Sequence, residues 1–415
     1  MRSIAPSRID GRIEAPPSKS LMIRASAAAL LADSESRILA PSRCDDALAG
    51  LRIVRALGAE VSDRGPEIVI CGGGPPSGDT LDCGESGLCM RMFTPVAALW
   101  NRPFLVTGRG SLMERPMSFL ESALRQAGAV LRTRDGFPPL SVLGPMRGGR
   151  IKIDGSHGSQ LLTGLLTALP LCVEDSEVRV ESLKSRPYAA MTRSLLARFG
   201  VVVESDPGFR VFRIAGSQRY LGTTLGIEGD WSAGAFLLAA GAAAGRVTVG
   251  NLDIHSDQAD RKVLEALEAA GALVSAAGGS VTAGRSSLDG FDFDANDCPD
   301  LFPPLVALAC VCRGRTRLDG AERLRHKESD RAEALLEGFL GLGARISLCG
   351  NRLEIEGGRL RGGVIDSRND HRIAMAGAVA GLASEEGVSI LGPDCVAKSY
   401  PGFFSDLETL GGRIT

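Results

Sequence analysis

An α/β (α+β) protein of two domains, each made of three similar repeats, is what three features of the sequence predict. A helical pattern runs into a glycine and on into a β-like run six times, at Gly58, Gly128, Gly200, Gly271, Gly343 and Gly411, with spacings of 70, 72, 71, 72 and 68 residues. A glycine just past a helix is the expected left-handed cap, so each instance reads as helix, cap, strand. Each repeat also holds an earlier helix, richer in Ala, Leu and Gly, beginning near Ser20, Ser86, Ser159, Ser232, Asp300 and Asp370. Finally, 415 residues are too many for one ordinary core, and two domains of about 200 residues are the prior. Two helices and a few strands per repeat predict a mixed sheet with helices packed beneath it. The domain boundary is expected between Gly226 and Gly229, where the third repeat ends and Asp230-Trp231-Ser232 opens the fourth. A solenoid is the alternative, but seventy residues is long for a solenoid repeat.

The second helix of each repeat has its own start signals. Pro116, Pro187 and Pro401 stand where a first helical residue belongs, and Asp46, Asp257 and Asp330 occupy comparable places. A length of about 10 to 14 residues is expected for this helix in every repeat.

Composition removes several function classes. A net charge of -2 gives no reason to expect nucleic acid or an acidic membrane, and 5% aromatic residues argue against a base-stacking surface. The start, Met1 to Pro6, has no apolar core for a signal peptide, and the longest apolar stretch, around Ala233 to Ala244, is too short to span a bilayer. The cytoplasm is the default location, and a monomer is expected. Ten cysteines are scattered without a Cys-x-x-Cys pair, and Cys310-x-Cys312 lies in an apolar run, so neither zinc nor a disulfide framework is indicated. Reduced, buried thiols are expected, with no metal and no cofactor.

The polar residues collect at helix starts, where unpaired backbone N–H groups and the helix dipole favour anions. Pro17-Ser18-Lys19-Ser20 with Arg24, Gly84-Glu85-Ser86-Gly87 with Arg91, Glu114-Arg115-Pro116, Ser156-His157-Gly158-Ser159-Gln160 and Ser185-Arg186-Pro187-Tyr188 fill the first half. Asp300, the run Glu322 to Arg331, Asn369-Asp370-His371-Arg372 and Lys398 follow in the second. Serine, aspartate or proline at a helix start is ordinarily a cap, and a charged run is ordinarily a solvated face. Recurring Arg and Lys there are different, because a cation beside the positive end of a helix is unfavourable by a few tenths of a kcal/mol to about 1 kcal/mol. An anion supplied from outside resolves that conflict.

These motifs carry a resemblance. In order and spacing, Pro17-Ser18-Lys19-Ser20 with Arg24, Glu114-Arg115-Pro116, Ser185-Arg186-Pro187-Tyr188, Lys327-Glu328-Ser329-Asp330-Arg331, Asn369-Asp370-His371-Arg372 and Lys398-Ser399-Tyr400-Pro401 resemble the 5-enolpyruvylshikimate-3-phosphate synthases (3-phosphoshikimate 1-carboxyvinyltransferases) of the enolpyruvyl transferase family, across essentially the whole chain. The resemblance implies an enolpyruvyl transferase-like fold of six βαβαββ repeats, with residues 15–227 as one domain, on the shikimate 3-phosphate side, and 1–14 with 228–415 as the other. It implies transfer of the enolpyruvyl group of phosphoenolpyruvate to the 5-hydroxyl of shikimate 3-phosphate, releasing phosphate, through a tetrahedral ketal.

By similarity, shikimate 3-phosphate is held by Lys19, Ser20, Arg24, Ser159, Gln160, Ser185, Tyr188, Asp300 and Lys327. Phosphoenolpyruvate is held by Lys19, Gly87, Arg115, Gln160, Arg331, Arg372 and Lys398, whose forked guanidinium donors suit carboxylate and phosphate. Asp300 is the candidate base for the 5-hydroxyl with Lys327 beside it, Glu328 and Lys19 are the candidates for proton transfer at the methylene carbon, and His371 assists.

Three departures from the family pattern stand out. The usual Gly-Asn-x-Gly-Thr reads Gly84-Glu85-Ser86-Gly87-Leu88, and Glu85 is expected to repel phosphoenolpyruvate unless it pairs with a cation such as Arg91 or Arg115. The usual Ser-Ser-Gln becomes Gly158-Ser159-Gln160, one hydroxyl short. Leu88 and Met92 replace the threonine and proline beside Gly87, which predicts reduced sensitivity to glyphosate, the family's competitor of phosphoenolpyruvate. Two rivals share the pattern in part: UDP-N-acetylglucosamine enolpyruvyl transferase, whose expected loop cysteine is missing from Ser111 to Glu114, and an inactive relative that binds without turnover.

Overall fold

The computed structural model describes all 415 residues, and its contacts divide them into two compact units, Pro17–Ile227 and a split unit of Met1–Pro16 with Glu228–Thr415. Each unit contains three four-stranded mixed sheets on one plan. The second repeat shows it plainly. Strand Thr80–Asp82 leads through helix Gly87–Ala97 to strand Pro103–Thr107, which pairs parallel to the first. Helix Phe119–Gln126 follows, then the hairpin Val130–Arg134 and Phe137–Leu143, whose second strand lies antiparallel against Pro103–Thr107. The sheet order is therefore first, second, fourth, third: a βαβαββ repeat.

Three sheets are completed by strands from distant parts of the chain. Thr224–Gly226 pairs parallel with Ser36–Leu39 and acts as first strand of the first repeat. Ile9–Glu14 does the same for the fourth repeat, against Gly245–Gly250. Arg2–Ala5 lies between Val388–Leu391 and Arg413–Ile414 as the last strand of the sixth.

All six repeated glycines take positive φ, between +78° at Gly200 and +104° at Gly58. Each closes its helix in the same way, the residue after the glycine donating to the carbonyl five residues back, as Ala59 does to Val54 at 2.9 Å and Ala344 to Phe339 at 2.9 Å. That is the cap expected of a helix turning into a strand. The second helices are less uniform than their start signals suggest. Asp45–Ala56, Arg186–Arg198 and Arg331–Gly341 run 12, 13 and 11 residues, but Phe119–Gln126, Val263–Ala269 and Phe403–Thr409 only 8, 7 and 7. In the short ones the chain enters through a tighter 3₁₀ turn, at Gly110–Glu114, Ala259–Lys262 and Pro393–Lys398. Pro187 is in the first turn of its helix, while Pro116 and Pro401 fall between turn and helix.

The first helices form the interior. Trp231–Ala244 and His371–Ala383 are buried on almost every side, which matches their lack of a polar face. In the Pro17–Ile227 unit, helices Gly87–Ala97 and Gln160–Ala168 meet at Gly164, where a Cβ would stand 2.6 Å from the Met92 carbonyl. That approach sets the starts of the two helices side by side.

The caps differ in what a side chain would meet. A Cβ on Gly58 would stand 2.4 Å from the Gly74 carbonyl, whereas one on Gly343 would meet Arg361 at ordinary contact distance, its Cβ at 3.5 Å and its N at 3.7 Å. Gly343→Ala is expected to lose about 1–2 kcal/mol from the left-handed backbone alone, and Gly58→Ala measurably more; the denaturation midpoints of the two variants, compared directly, check the order.

Candidate active site

In the Pro17–Ile227 unit the candidate groups sit at helix starts, most of them those of the first helices and Arg115, Ser185 and Tyr188 at those of second helices. Ser18 caps Lys19–Leu31 by accepting from Leu21 N–H, which leaves Lys19 and Ser20 as the first helical residues. Lys19 Nζ lies 3.0 Å from Asp46 Oδ2. Arg24, one turn on, is buried with its guanidinium threaded among hydroxyls: Nε donates to Thr192 Oγ1 at 3.1 Å, Nη2 to Thr163 Oγ1 at 3.3 Å and Nη1 to the Ser20 carbonyl at 2.8 Å. It also lies 5.7 Å from the centre of the Tyr188 ring. Burial lowers its pKa to about 10, with Tyr188 opposing.

Ser159 precedes the helix of Gln160, and Gln160 Oε1 accepts from Arg91 Nη1 at 2.9 Å. Gly87 opens its helix so close to Arg115 that a Cβ there would be 2.9 Å from Arg115 Nη1. Arg115 itself is buried and donates to Ser111 Oγ at 3.3 Å. Ser185, a buried serine, is held in the left-handed conformation at φ +57° before the helix of Tyr188, a strained backbone of the kind found at functional sites. Gly158 has φ +106° and ψ -176°, a region open to glycine only. Glu85 lays its carboxylate against Gly110, where a Cβ would be 2.7 Å from Oε2.

The split unit holds a denser cluster, centred on Asp300 and Arg331. Asp300, in a 3₁₀ turn leading into helix Phe302–Ala309, has Lys327 Nζ at 3.2 Å, Arg331 Nη1 at 2.8 Å and Arg372 Nη2 at 3.1 Å. Burial alone would raise its pKa, but Arg372, Lys327 and Arg331 together hold it well below the usual carboxylate range. Arg331 is fully buried at the start of its helix, which Asp330 caps through Glu333 N–H. Its remaining donors go to Asp370, at 2.9 and 3.2 Å, and to Glu328 Oε2 at 2.5 Å. Burial works against its charge, but Asp370, Glu328 and Asp300 outweigh it and raise its pKa. Asp370 caps helix His371–Ala383 by accepting from Arg372 N–H, so His371 and Arg372 are its first residues, both buried. Lys398, also buried, donates to the Asn369 carbonyl at 2.6 Å.

Sequence reasoning missed the counter-charges. Asp46 and Asp370 read as caps, yet each also anchors a cation, Lys19 or Arg331. Asp260 has no sequence signal at all: it is 1% exposed, receives the Ser232 hydroxyl on Oδ2, and its Oδ1 has no partner. Burial and the neighbouring Asp300 push its pKa up to about 7, against Arg372. Thr163 and Thr192, which hold Arg24, were legible only as one turn beyond Ser159 and Tyr188. The unassigned Arg323 proves largely enclosed, its pKa lowered by burial and raised by Asp300 and Asp297.

Six βαβαββ repeats, with guanidinium and ammonium groups stationed at the starts of buried helices and carboxylates interleaved among them, define an α/β protein built to handle small, multiply charged anions. The chain belongs to the EPSP synthase (3-phosphoshikimate 1-carboxyvinyltransferase) family, whose model matches residues 4–407. It is 40% identical over 412 residues to a 3-phosphoshikimate 1-carboxyvinyltransferase of Aeropyrum pernix, covering 99% of this chain and 96% of that one. It is 38% identical over 418 residues to that of Methanocorpusculum labreanum, covering 99% and 98%. A solved EPSP synthase from Acinetobacter baumannii superposes with a TM-score of 0.81 at 28% identity, covering 100% of this chain and 99% of that one.

The buried Asp260 makes stability depend on pH in a specific sense. Its folded pKa, raised to about 7, means that between the unfolded value and neutrality the folded state keeps a proton the unfolded state gives up, so its contribution falls as pH rises through that window and is flat above it. Asp300 acts oppositely, with stability lost only as pH falls through its depressed folded value. Melting temperatures of Asp260→Asn and the unsubstituted chain, taken at about pH 5 and about pH 8, are expected to show a smaller decline with pH in the variant; equal declines would refute the assignment.

Proposed function

We propose that this chain transfers the enolpyruvyl group of phosphoenolpyruvate to the 5-hydroxyl of shikimate 3-phosphate, giving 5-enolpyruvylshikimate 3-phosphate and phosphate on the shikimate pathway to chorismate and the aromatic amino acids. The observation that carries the reading is Asp300 with three cations within 3.2 Å, inside a chain that matches this family over residues 4–407. In this reading Lys19, Ser20, Arg24, Ser159, Gln160, Ser185 and Tyr188 take shikimate 3-phosphate, with Asp300 and Lys327 serving its reactive hydroxyl. Lys19, Gly87, Arg115, Gln160, Arg331, Arg372 and Lys398 take phosphoenolpyruvate. The Pro17–Ile227 unit then serves mainly the first substrate.

The reaction adds a proton to the methylene carbon and the 5-oxygen to the carbon bearing phosphate, then expels phosphate as the methyl group returns a proton. The geometry constrains who can move those protons. Asp300 is ionised, as a base must be, but three adjacent cations make it a weak one. Phosphoenolpyruvate brings carboxylate and phosphate oxygens that compete with Asp300 for Arg331 and Arg372. Binding the anion therefore raises the basicity of Asp300 at the moment it is needed. Glu328 faces the same switch, since acting as an acid requires a proton that its 2.5 Å pair with Arg331 opposes. Lys19, paired with Asp46, is the other proton carrier, and His371 lies between Asp370 and Arg372 in sequence as a supporting donor.

We further infer a monomer acting in the cytoplasm without metal or cofactor. No helix is long and apolar enough to cross a membrane, and burial raises the pKa of most of the thiols, that of Cys172 to about 12.

Phosphate release from phosphoenolpyruvate should require shikimate 3-phosphate; absence of release while shikimate 3-phosphate still binds would overturn the reading. Asp300→Asn and Glu328→Ala should each lower kcat by roughly 10²-fold or more with shikimate 3-phosphate binding retained. Glyphosate should inhibit this enzyme less than family members that carry threonine and proline at positions 88 and 92, measured as inhibition constants against phosphoenolpyruvate.

A further inference from the structure

The split unit has a second concentration of arginines, at the opposite end of the helices that carry its active-site residues. A cavity of about 1130 Å³ opens where Trp231–Ala244 and His371–Ala383 end, floored by Ala243, Ala244, Leu360 and Leu382 and ringed by Arg8, Arg246, Arg285, Arg359 and Arg413. Two of the five are engaged: Arg359 lies 3.5 Å from Glu385, and Arg413 donates to the Pro6 carbonyl. Arg8, Arg246 and Arg285 make no side-chain hydrogen bond or ion pair.

The ordinary account of cations here is that they complement the negative ends of helices. The other unit shows what that account looks like when it suffices. There Arg37, Arg147 and Arg219 each have a carboxylate at 2.7, 3.0 and 2.6 Å, from Glu67, Glu174 and Asp33, and Arg102 donates to the Pro76 carbonyl at 3.0 Å. Arg246 follows Trp231–Ala244 in its strand as Arg37 follows Lys19–Leu31, but of its cross-strand neighbours Gly284 has no side chain and the exposed Asp10 forms no ion pair with it. Three like charges on one lining, none of them in an ion pair and with Asp10 the one unpaired carboxylate among them, repel one another, and an anion between them lowers that repulsion.

We propose that this cavity is a binding site for a small organic polyanion of nucleotide size, its apolar body on the floor and its phosphate or carboxylate groups among Arg8, Arg246 and Arg285. The size of the cavity exceeds what a lone phosphate fills, and the spread of the arginines calls for more than one anionic group. Asp10 and Glu385 on the same lining disfavour a continuous polyanion laid across it. The 13- and 14-residue helices that separate it from the active-site residues of this unit are roughly 20 Å long, so the ligand does not compete for Asp300 or Arg372 directly.

Calorimetric titration of the full chain at low salt with magnesium-free ATP, tripolyphosphate and adenosine tests this. ATP is expected to bind in two classes of site, one removed by Lys398→Ala and the other weakened at least ~10-fold in the double variant Arg246→Ser, Arg285→Ser, whose turnover stays at the unsubstituted level. Tripolyphosphate should bind the second class more weakly than ATP, and adenosine not at all. Unchanged ATP binding by the double variant, or no ATP binding beyond the class removed by Lys398→Ala, would overturn the site. Tripolyphosphate binding as tightly as ATP would overturn the role of the apolar floor. Arg37→Ser, whose arginine is already paired, should leave every titration unchanged.

Discussion

A fully buried guanidinium that cannot lose its proton is the constraint from which the split unit is built. Arg331 has five N–H donors and no route to neutrality, so its surroundings must supply negative charge in the right directions. Asp300, Glu328 and Asp370 do so, and each is itself fixed by a helix start: a 3₁₀ turn before Phe302–Ala309, the approach to Arg331–Gly341, and the cap of His371–Ala383. One side chain thereby ties the fifth repeat to the sixth. Removing one partner from such an arrangement typically costs about 3–5 kcal/mol, because the remaining charge is left buried without compensation. Fold and candidate site are for this reason not separable here: the groups proposed for the chemistry also hold the helices in place.

The two units solve the problem of burying cations differently. In the Pro17–Ile227 unit, Arg24 is surrounded by hydroxyls, a carbonyl and an aromatic face, none of them charged, and its pKa falls. A guanidinium so placed retains its full charge for an incoming phosphate. In the split unit Lys327, Arg331 and Arg372 share the Asp300 carboxylate from the start, so an anionic ligand competes with it. The first arrangement suits tight holding of one substrate; the second suits a site whose electrostatics change when the other arrives.

Much of this was legible in the chain itself. Six glycines at near-constant spacing gave the number of repeats, because a left-handed cap leaves few alternatives to glycine. The cations at helix starts marked the candidate site, since they oppose the local dipole and so need a reason to be there. Less legible was everything that depends on pairing. Asp370 and Asp46 looked like caps because capping and counter-charge use the same residue type. Asp260 reads as an ordinary polar residue between Ala259 and Arg261, and only burial reveals it. The short helices Val263–Ala269 and Phe403–Thr409 were overestimated because 3₁₀ turns share the start signals of α-helices. The sheet assignment of Thr224–Gly226 and Ile9–Glu14 rests on contacts across more than 180 residues, which no local pattern encodes.

Those distant strands set an order of assembly on the ribosome. Everything in the Pro17–Ile227 unit, including the strand Thr224–Gly226 that completes its first sheet, has been synthesised once Ile227 is made. Strand Arg2–Ala5, in contrast, emerges first and finds its neighbours Val388–Leu391 and Arg413–Ile414 last. At ~5–20 residues per second, that leaves it without its sheet for roughly 20–80 s. A strand with open edges for so long is a template for wrong partners, and this one begins and ends short, four residues with arginine at its head.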